Sequence, residues 1–117
     1  MTVVVAVPDS AEGHRALDVA VTEAQIRQTQ LVVVNLTLSP LDLSTVPDSV
    51  SVTLVDRPPS LAVDELVLDT VEQYADADLL VIGRKRRSPV GKAVLGSLSQ
   101  RLLLDSPIAV LAVKAKY

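Results

Sequence analysis

One short segment of the chain concentrates the residues that could bind an anion. Three of the four glycines lie between Gly83 and Gly96, and a run of bases follows Gly83 directly. Glycine allows the backbone to approach a ligand closely. Ser97 stands where a helix is predicted to begin, so free backbone N–H groups and the helix dipole favour a negative group there. The segment therefore predicts a loop that holds a phosphate or a carboxylate.

This loop is neither a P-loop nor a G-x-G-x-x-G turn. The sequence around Gly91-Lys92 lacks the earlier glycine and the following Ser or Thr of a P-loop, and no G-x-G-x-x-G pattern occurs. A second interpretation stays open from the local pattern alone. In that interpretation Gly96-Ser97 only caps a helix, and the bases form a solvated loop.

Five apolar runs predict the strands that position this loop. The first is continuous and β-branched, as in strands buried on both faces of a parallel sheet. Proline or glycine ends several of these runs. The five predicted strands are Val3–Val7, Leu31–Leu36, Ser51–Val55, Leu79–Ile82 and Ile108–Val113.

Three segments between the strands have helical spacing or start signals. The first covers residues 11–29, and Asp9 and Glu12 form a predicted capping box at its start. The second begins at Pro58-Pro59-Ser60, and the third runs from Ser97, paired with Gln100, to Pro107. Residues 38–50 have no helical period and predict a loop. Such a short helix-free connection is near the lower limit for a parallel crossover, so the direction of the third strand stays open.

Alternating strands and helices predict an α/β fold with a largely parallel sheet. Ligands bind such sheets beyond the carboxyl ends of the strands, at the point where the strand order reverses. The two turns to consider are therefore Pro8-Asp9-Ser10 and the loop after Ile82. The 117 residues predict a single domain over 1–117.

Composition excludes several classes of protein. The chain has no cysteine, which excludes disulfides and thiolate metal sites. Only two aromatic residues, Tyr74 and Tyr117, are present, and this argues against single-stranded nucleic acid as the main ligand. No apolar run reaches the ~18 residues of a membrane helix. Since Thr2 to Val7 predicts a strand and not an export signal, we expect a cytoplasmic protein with no membrane contact.

Charge is distributed unevenly along the chain, although the net charge is only −3. Nine acids and one base, Arg57, lie from Asp42 to Asp78, whereas six bases and no acid lie from Arg84 to Arg101. This separation indicates a local anion site and not a general nucleic-acid surface. The acidic stretch Asp64–Glu72 also offers a surface for a protein partner.

Several segments together resemble the universal stress protein family. They are residues 77–83, the loop ending in Leu95-Gly96-Ser97-Leu98-Ser99, the closing run 106–113, and the opening strand with Ser10 and Ala16-Leu17. The resemblance implies a Rossmann-like α/β domain with helices on both faces. It also implies a five-stranded, mostly parallel sheet in the order 3-2-1-4-5. It further implies a homodimer formed through Ile108 to Val113, and ATP binding, as in many members.

The family's nucleotide motif has a glycine, two residues, a second glycine, nine residues, and then glycine with Ser or Thr. Gly83 and Gly96-Ser97 match its ends, but the middle glycine is replaced by Arg86. Pro8 stands where the family has aspartate, with Asp9 displaced by one. The resemblance implies that these residues contact a nucleotide: Pro8, Asp9, Ser10, Leu36, Gly83, Arg84, Arg86, Gly96, Ser97 and Leu98.

These departures predict a degenerate nucleotide site. Arg86 places a long side chain where backbone would approach the phosphates, and proline removes both a carboxylate and an N–H. The short 38–50 connection leaves one face of the sheet thinly covered. We expect a regulatory binding domain that binds ATP weakly or not at all, or holds a smaller phosphate-like anion. The alternative is a functional ATP or AMP binder that acts as a switch or slow ATPase.

No catalytic or metal-binding residues are predicted. His14, the only histidine, is interpreted as a surface residue, and Asp76 and Asp78 as turn residues at the amino end of a strand. The sequence contains no apparent nucleophile triad or metal cluster.

Overall fold

The computed structural model describes residues 1–84 and 96–114. Five strands and three helices alternate along the chain. In chain order they are β1 (Thr2–Val7), α1 (Ala11–Arg27), β2 (Gln30–Asn35), β3 (Val52–Asp56), α2 (Val63–Gln73), β4 (Ala77–Arg84), α3 (Ser97–Asp105) and β5 (Ala109–Lys114).

All five strands form one parallel sheet in the order β3-β2-β1-β4-β5. This confirms the predicted strand order. It also settles the direction of β3, which runs parallel to β2 with Leu31 opposite Val52. The order reverses at β1, which lies between β2 and β4, so the carboxyl ends of β1 and β4 form the switch point of the sheet.

Two apolar clusters cover the two faces of the sheet. Helix α1 packs on one face against Val3, Val5 and Val81, and helices α2 and α3 pack on the other against Val4 and Leu80. Strands β1 and β2 are buried almost completely, which explains their continuous Val and Leu runs.

The connection between β2 and β3 contains turns and no helix, as its sequence predicts. It nevertheless covers part of the α1 face. Val50 is 8% exposed, and Leu41, Leu43 and Val46 are partly buried against the same cluster. The connection therefore packs on the sheet although it contains no helix.

Helix boundaries differ from the prediction in physically informative ways. Helix α1 ends at Arg27, because Gln28 takes a left-handed conformation (φ 53°) and closes the helix. Helix α2 begins at Val63 and not at Pro58. A residue that precedes proline is disfavoured from helical geometry, so Pro58 before Pro59 forms a turn instead. Leu61 N–H donates to Pro58 O across that turn.

No helix in residues 1–84 or 96–114 is long and apolar enough to cross a membrane.

Candidate functional site

The carboxyl ends of β1 and β4 lie side by side, as the sequence predicts. The two strands pair through Val5 and Val81. Helix α1 begins just after β1, and α3 follows β4 along the chain. The two strand ends and the first turns of these helices make up the candidate site.

The turn between β1 and α1 is held by Ser10. Its side chain is the N-cap of α1, and its hydroxyl oxygen accepts from Gly13 N at 3.0 Å. The N-cap is therefore Ser10, not the predicted Asp9. Since Ser10 and the first-turn acid Glu12 already complement the N-terminus of α1, this helix end is a poor place for an added anion.

Pro8 packs directly against the first turn of α1. A Cβ placed on Gly13 would lie 2.9 Å from Pro8 Cδ and would also collide with Pro8 O. Ser10 N donates back to Pro8 O at 2.9 Å. Pro8 is thus a packing residue, and it brings no hydrogen-bonding side chain to the strand end.

The Asp9 side chain, next to Pro8, faces solvent. It is 86% exposed, and its Oδ1 lies 3.8 Å from His14 Nε2. The His14 side chain is 57% exposed, in agreement with its interpretation as a surface residue. The Asp9 carboxylate therefore faces solvent, next to the imidazole of His14.

Gly83, near the end of β4, is where α1 makes its closest approach to the sheet. A Cβ there would lie 2.5 Å from Glu12 O and 2.6 Å from Glu12 C. Its carbonyl oxygen also accepts from Ser99 Oγ at 2.7 Å, which ties the first turn of α3 to β4. Gly83 is therefore required by helix–strand packing, whatever ligand the site takes.

Among residues 1–84 and 96–114, no side chain caps the N-terminus of α3, whereas Ser10 caps α1. Gly96 is the N-cap of α3, with extended backbone and no side-chain hydrogen bond, and Gln100 N donates to Gly96 O at 2.9 Å. Ser97 is the first helical residue, so the predicted capping pair of Ser97 and Gln100 is wrong. The first N–H groups of this helix have no partner within the helix. They retain the anion-binding potential expected from the sequence.

Ser97 and Leu98 line a depression of about 320 Å³ between the first turns of α2 and α3. Asp64 and Arg101 complete the polar part of its lining. Arg101 forms ion pairs with Asp64 at 3.9 Å and with Asp105. Its charge is thus largely compensated by acids.

Leu36 lies just beyond β2 and belongs to the core. It is 5% exposed and packs in the cluster below α2 and α3. Its N–H donates to Val7 O at 3.0 Å, which extends the β1–β2 pairing by one residue. The Leu36 side chain is therefore part of the core, and its contact with a nucleotide stays a prediction.

Of the bases that directly follow Gly83, only Arg84 lies within the described residues. Arg84 is the last residue of β4 and lies opposite Lys114 of β5. Arg86 lies outside the described residues, as do the other residues of 85–95.

The carboxylates with lowered pKa values lie away from the carboxyl ends of β1 and β4. A hydrogen bond from the Met1 ammonium and a second from Thr2 lower the pKa of Asp76, at the amino end of β4. Hydrogen bonds from Ser44 lower the pKa of Asp42 in the β2–β3 connection. Within residues 1–84 and 96–114 no group of acids and histidine could hold a metal ion.

Sequence reasoning missed two residues that shape the site, Gly13 and Ser99. Gly13 lies three residues after the N-cap, where Pro8 needs space. Ser99 is part of the Gly-Ser-Leu-Ser run that carries the resemblance, but its link to Gly83 O depends on tertiary packing. Gly13 could have been found from the sequence, because a glycine in the first turn of a helix is unusual. No sequence pattern marks the role of Ser99.

A sequence model of the "Universal stress protein family" matches residues 47–114, which is more than half of the chain. The chain belongs to this family. The match includes β3, β4, β5 and the loop with Gly83 and Gly96-Ser97.

Relatives agree with this family assignment. A universal stress protein of Mycolicibacterium smegmatis (strain ATCC 700084 / mc(2)155) is 57% identical over 53 residues. This match covers 45% of the chain and only 39% of the relative. A universal stress protein structure from Archaeoglobus fulgidus aligns with a TM-score of 0.69 at 24% identity, covering 99% of this chain and 98% of the other.

A second Archaeoglobus fulgidus structure, described as a universal stress protein in complex with dAMP, aligns with a TM-score of 0.64 at 22% identity. It covers 99% of this chain and 98% of that chain. At these identities the two structural likenesses establish the fold: a Rossmann-like α/β sheet of the universal stress protein type.

Proposed function

We propose that this chain is a regulatory binding domain of the universal stress protein family whose nucleotide site has degenerated. It binds ATP weakly or not at all, and retains an anion site at the N-terminus of α3. The proposal rests mainly on the β1–α1 turn, where no carboxylate among residues 8–10 faces the end of the strand. Pro8 is committed to packing on Gly13, and the Asp9 side chain is 86% exposed.

The lost carboxylate matters because a nucleotide needs polar contacts at both of its ends. A site built to bind a hydroxyl group loses much of its affinity when its hydrogen-bonding partner is missing. Pro8 offers no such partner. Asp9 would have to leave His14 and turn inward to replace it.

The phosphate end of the site supports the second half of the proposal. The first N–H groups of α3, beginning at Ser97, have no partner within the helix, and Ser99 fixes this turn to Gly83. Arg86, at the motif's middle glycine position, can occupy the phosphate position with its own guanidinium or bind a smaller anion. This arrangement favours inorganic phosphate or a similar small anion over a triphosphate.

The alternative is a working nucleotide binder that acts as a switch or slow ATPase, with Arg86 paired to a phosphate. The Archaeoglobus fulgidus neighbour described in complex with dAMP makes a monophosphate the form to test first. In this alternative Arg86→Ala and Ser97→Ala both weaken nucleotide binding.

Restoring the family's residues tests the proposal. The double variant Pro8→Asp/Arg86→Gly should bind ATP at least about tenfold more tightly than the wild type, since a charged hydrogen bond is worth ~1.5–3 kcal/mol. Calorimetric titration measures the change. Arg87→Gly removes a neighbouring base outside the motif and serves as the control. Equal or weaker ATP binding by a folded double variant would contradict the proposal.

We also propose that the domain is a cytoplasmic homodimer that pairs through β5. This strand is at one edge of the sheet, and Val110, Leu111 and Ala112 are only half-buried within the described chain. A regular apolar edge favours pairing with a second copy.

A further inference from the structure

A second concave site lies at the carboxyl ends of β2 and β3, away from the α3 N-terminus. We name it the Arg57 pocket. It has a volume of about 380 Å³ and is lined by residues 37–41, Leu54 and Pro59, together with Asn35, Asp56 and Arg57. The β2–β3 connection, which supplies part of the lining, contains no helix. The volume of the pocket is within the range of small-molecule sites.

The polar floor of the Arg57 pocket is fixed by Asn35, which is 2% exposed. Its Nδ2 donates to Ser39 O at 2.9 Å and to Asp56 Oδ1 at 3.2 Å, and its Oδ1 accepts from Thr37 N at 3.0 Å. The amide group is therefore saturated. It acts as a clamp that holds the Asp56 carboxylate in place.

Arg57 has a donor that the described residues leave unused. Its Nε is buried, and no acceptor for it lies among residues 1–84 and 96–114. Its Nη1 has one long hydrogen bond of 3.4 Å, to Leu36 O. Because Nε has almost no accessible surface, a ligand in the pocket cannot contact it. Arg57 nevertheless lines the pocket, and the outer N–H groups of a guanidinium can donate to a carboxylate.

Local charge restricts which carboxylate would fit. Arg57 is the only base between Asp42 and Asp78, and Asp56 lines the same pocket. A simple anion would meet Asp56 as a like charge. A ligand with an ammonium group beside its carboxylate would pair with both side chains and leave no charge uncompensated.

The remaining walls are apolar and accessible. Leu38 is 83% exposed and Leu54 is 39% exposed. Pro40, Leu41 and Pro59 complete this wall. An aliphatic group placed between these side chains would remove apolar surface from water on both partners.

We propose that the Arg57 pocket binds a small α-amino acid with an aliphatic side chain. The carboxylate pairs with Arg57, the ammonium group with Asp56, and the side chain lies against Leu38 and Leu54. This proposal does not rest on the nucleotide proposal, although the pocket borders Leu36, which is one of the residues predicted to contact a nucleotide. The Leu36 N–H donates to Val7 O, and its carbonyl accepts from Arg57.

Four probes on the wild-type chain test the ligand class by calorimetry or ligand-observed NMR. L-leucine should bind. Glycine lacks the aliphatic group, 4-methylpentanoate lacks the ammonium group, and 3-methylbutylamine lacks the carboxylate. Each should bind at least about tenfold more weakly. No binding of L-leucine at millimolar concentration, or equal binding of any of the other three, would overturn the proposal.

Variants test the location. Arg57→Met and Asp56→Asn should each weaken L-leucine binding about tenfold or more. Asp48→Asn in the same connection and Ile26→Ser on α1 change exposed residues outside the pocket, and should leave binding unchanged. Circular dichroism verifies that each variant is folded. Unchanged L-leucine affinity in a folded Arg57→Met variant would place the ligand elsewhere and overturn the proposal. ATP titration of that variant should match the wild type, so failure here is distinct from failure of the nucleotide proposal.

Discussion

Gly83 shows how one residue can look functional for two different reasons. Sequence reasoning assigns it to ligand approach, because it matches the first glycine of the family motif. In the structure its missing Cβ makes room for the Glu12 backbone, so α1 can contact β4. The two roles are compatible, since a helix that approaches the strand end closely also shapes the site there.

Gly83→Ala should destabilise the fold by roughly 1–3 kcal/mol, because α1 must shift to avoid the new methyl group. Urea denaturation measures the loss. Ala11→Ser adds one atom at the exposed start of the same helix and should change stability by less than about 0.5 kcal/mol. An equal effect of the two substitutions would contradict the packing role of Gly83.

The Asp76 carboxylate makes the stability of the fold depend on pH. Its folded-state pKa is below the ordinary value of 3.8, because the Met1 ammonium and the Thr2 hydroxyl hydrogen-bond to the carboxylate. The carboxylate therefore stabilises the fold fully above its unfolded-state pKa. This contribution is lost as pH falls through the lower folded-state pKa.

Asp76→Asn should remove this part of the acid dependence. Urea midpoints measured between about pH 2 and 5 should fall less steeply in the variant than in the wild type. Asp69→Asn, on the exposed face of α2, is the matched control. A wild-type slope preserved in Asp76→Asn would show that another carboxylate is responsible.

At the scale of elements, the strands were easier to predict than the helix starts. Short runs rich in Val and Leu predict strands, and all five are present, although β3 is largely exposed. The helix starts depend on single hydrogen bonds that sequence patterns do not distinguish. Asp9 and Ser10 both qualify as the cap of α1, and only the structure shows that Ser10 accepts from Gly13.

The proposed homodimer depends on one edge strand, β5, and not on the opposite edge strand, β3. Leu111→Lys places a charge on β5 and should convert the proposed homodimer to a monomer that remains folded. Leu54→Lys places the same charge on β3, the opposite edge, and should leave the dimer intact. Light scattering after size exclusion gives the mass of each variant. A folded Leu111→Lys dimer would contradict pairing through β5.

At the scale of the whole molecule, the fold follows from the sequence because alternation, apolar runs and the family resemblance all agree. The candidate site follows only in part. Its two ends, at Gly83 and Gly96-Ser97, are visible as a motif. The packing of Pro8 on Gly13 and the outward position of Asp9 depend on how α1 meets the sheet, which no local pattern specifies.

The most direct test of the account is the affinity of the nucleotide-free wild-type chain for ATP. Calorimetric titration with ATP, with and without magnesium, should give no heat or a Kd weaker than about 0.1 mM. Parallel titrations with dAMP and inorganic phosphate measure the affinity for smaller anions at the N-terminus of α3. Magnesium-dependent ATP binding tighter than this limit would contradict a degenerate site and establish a working nucleotide binder.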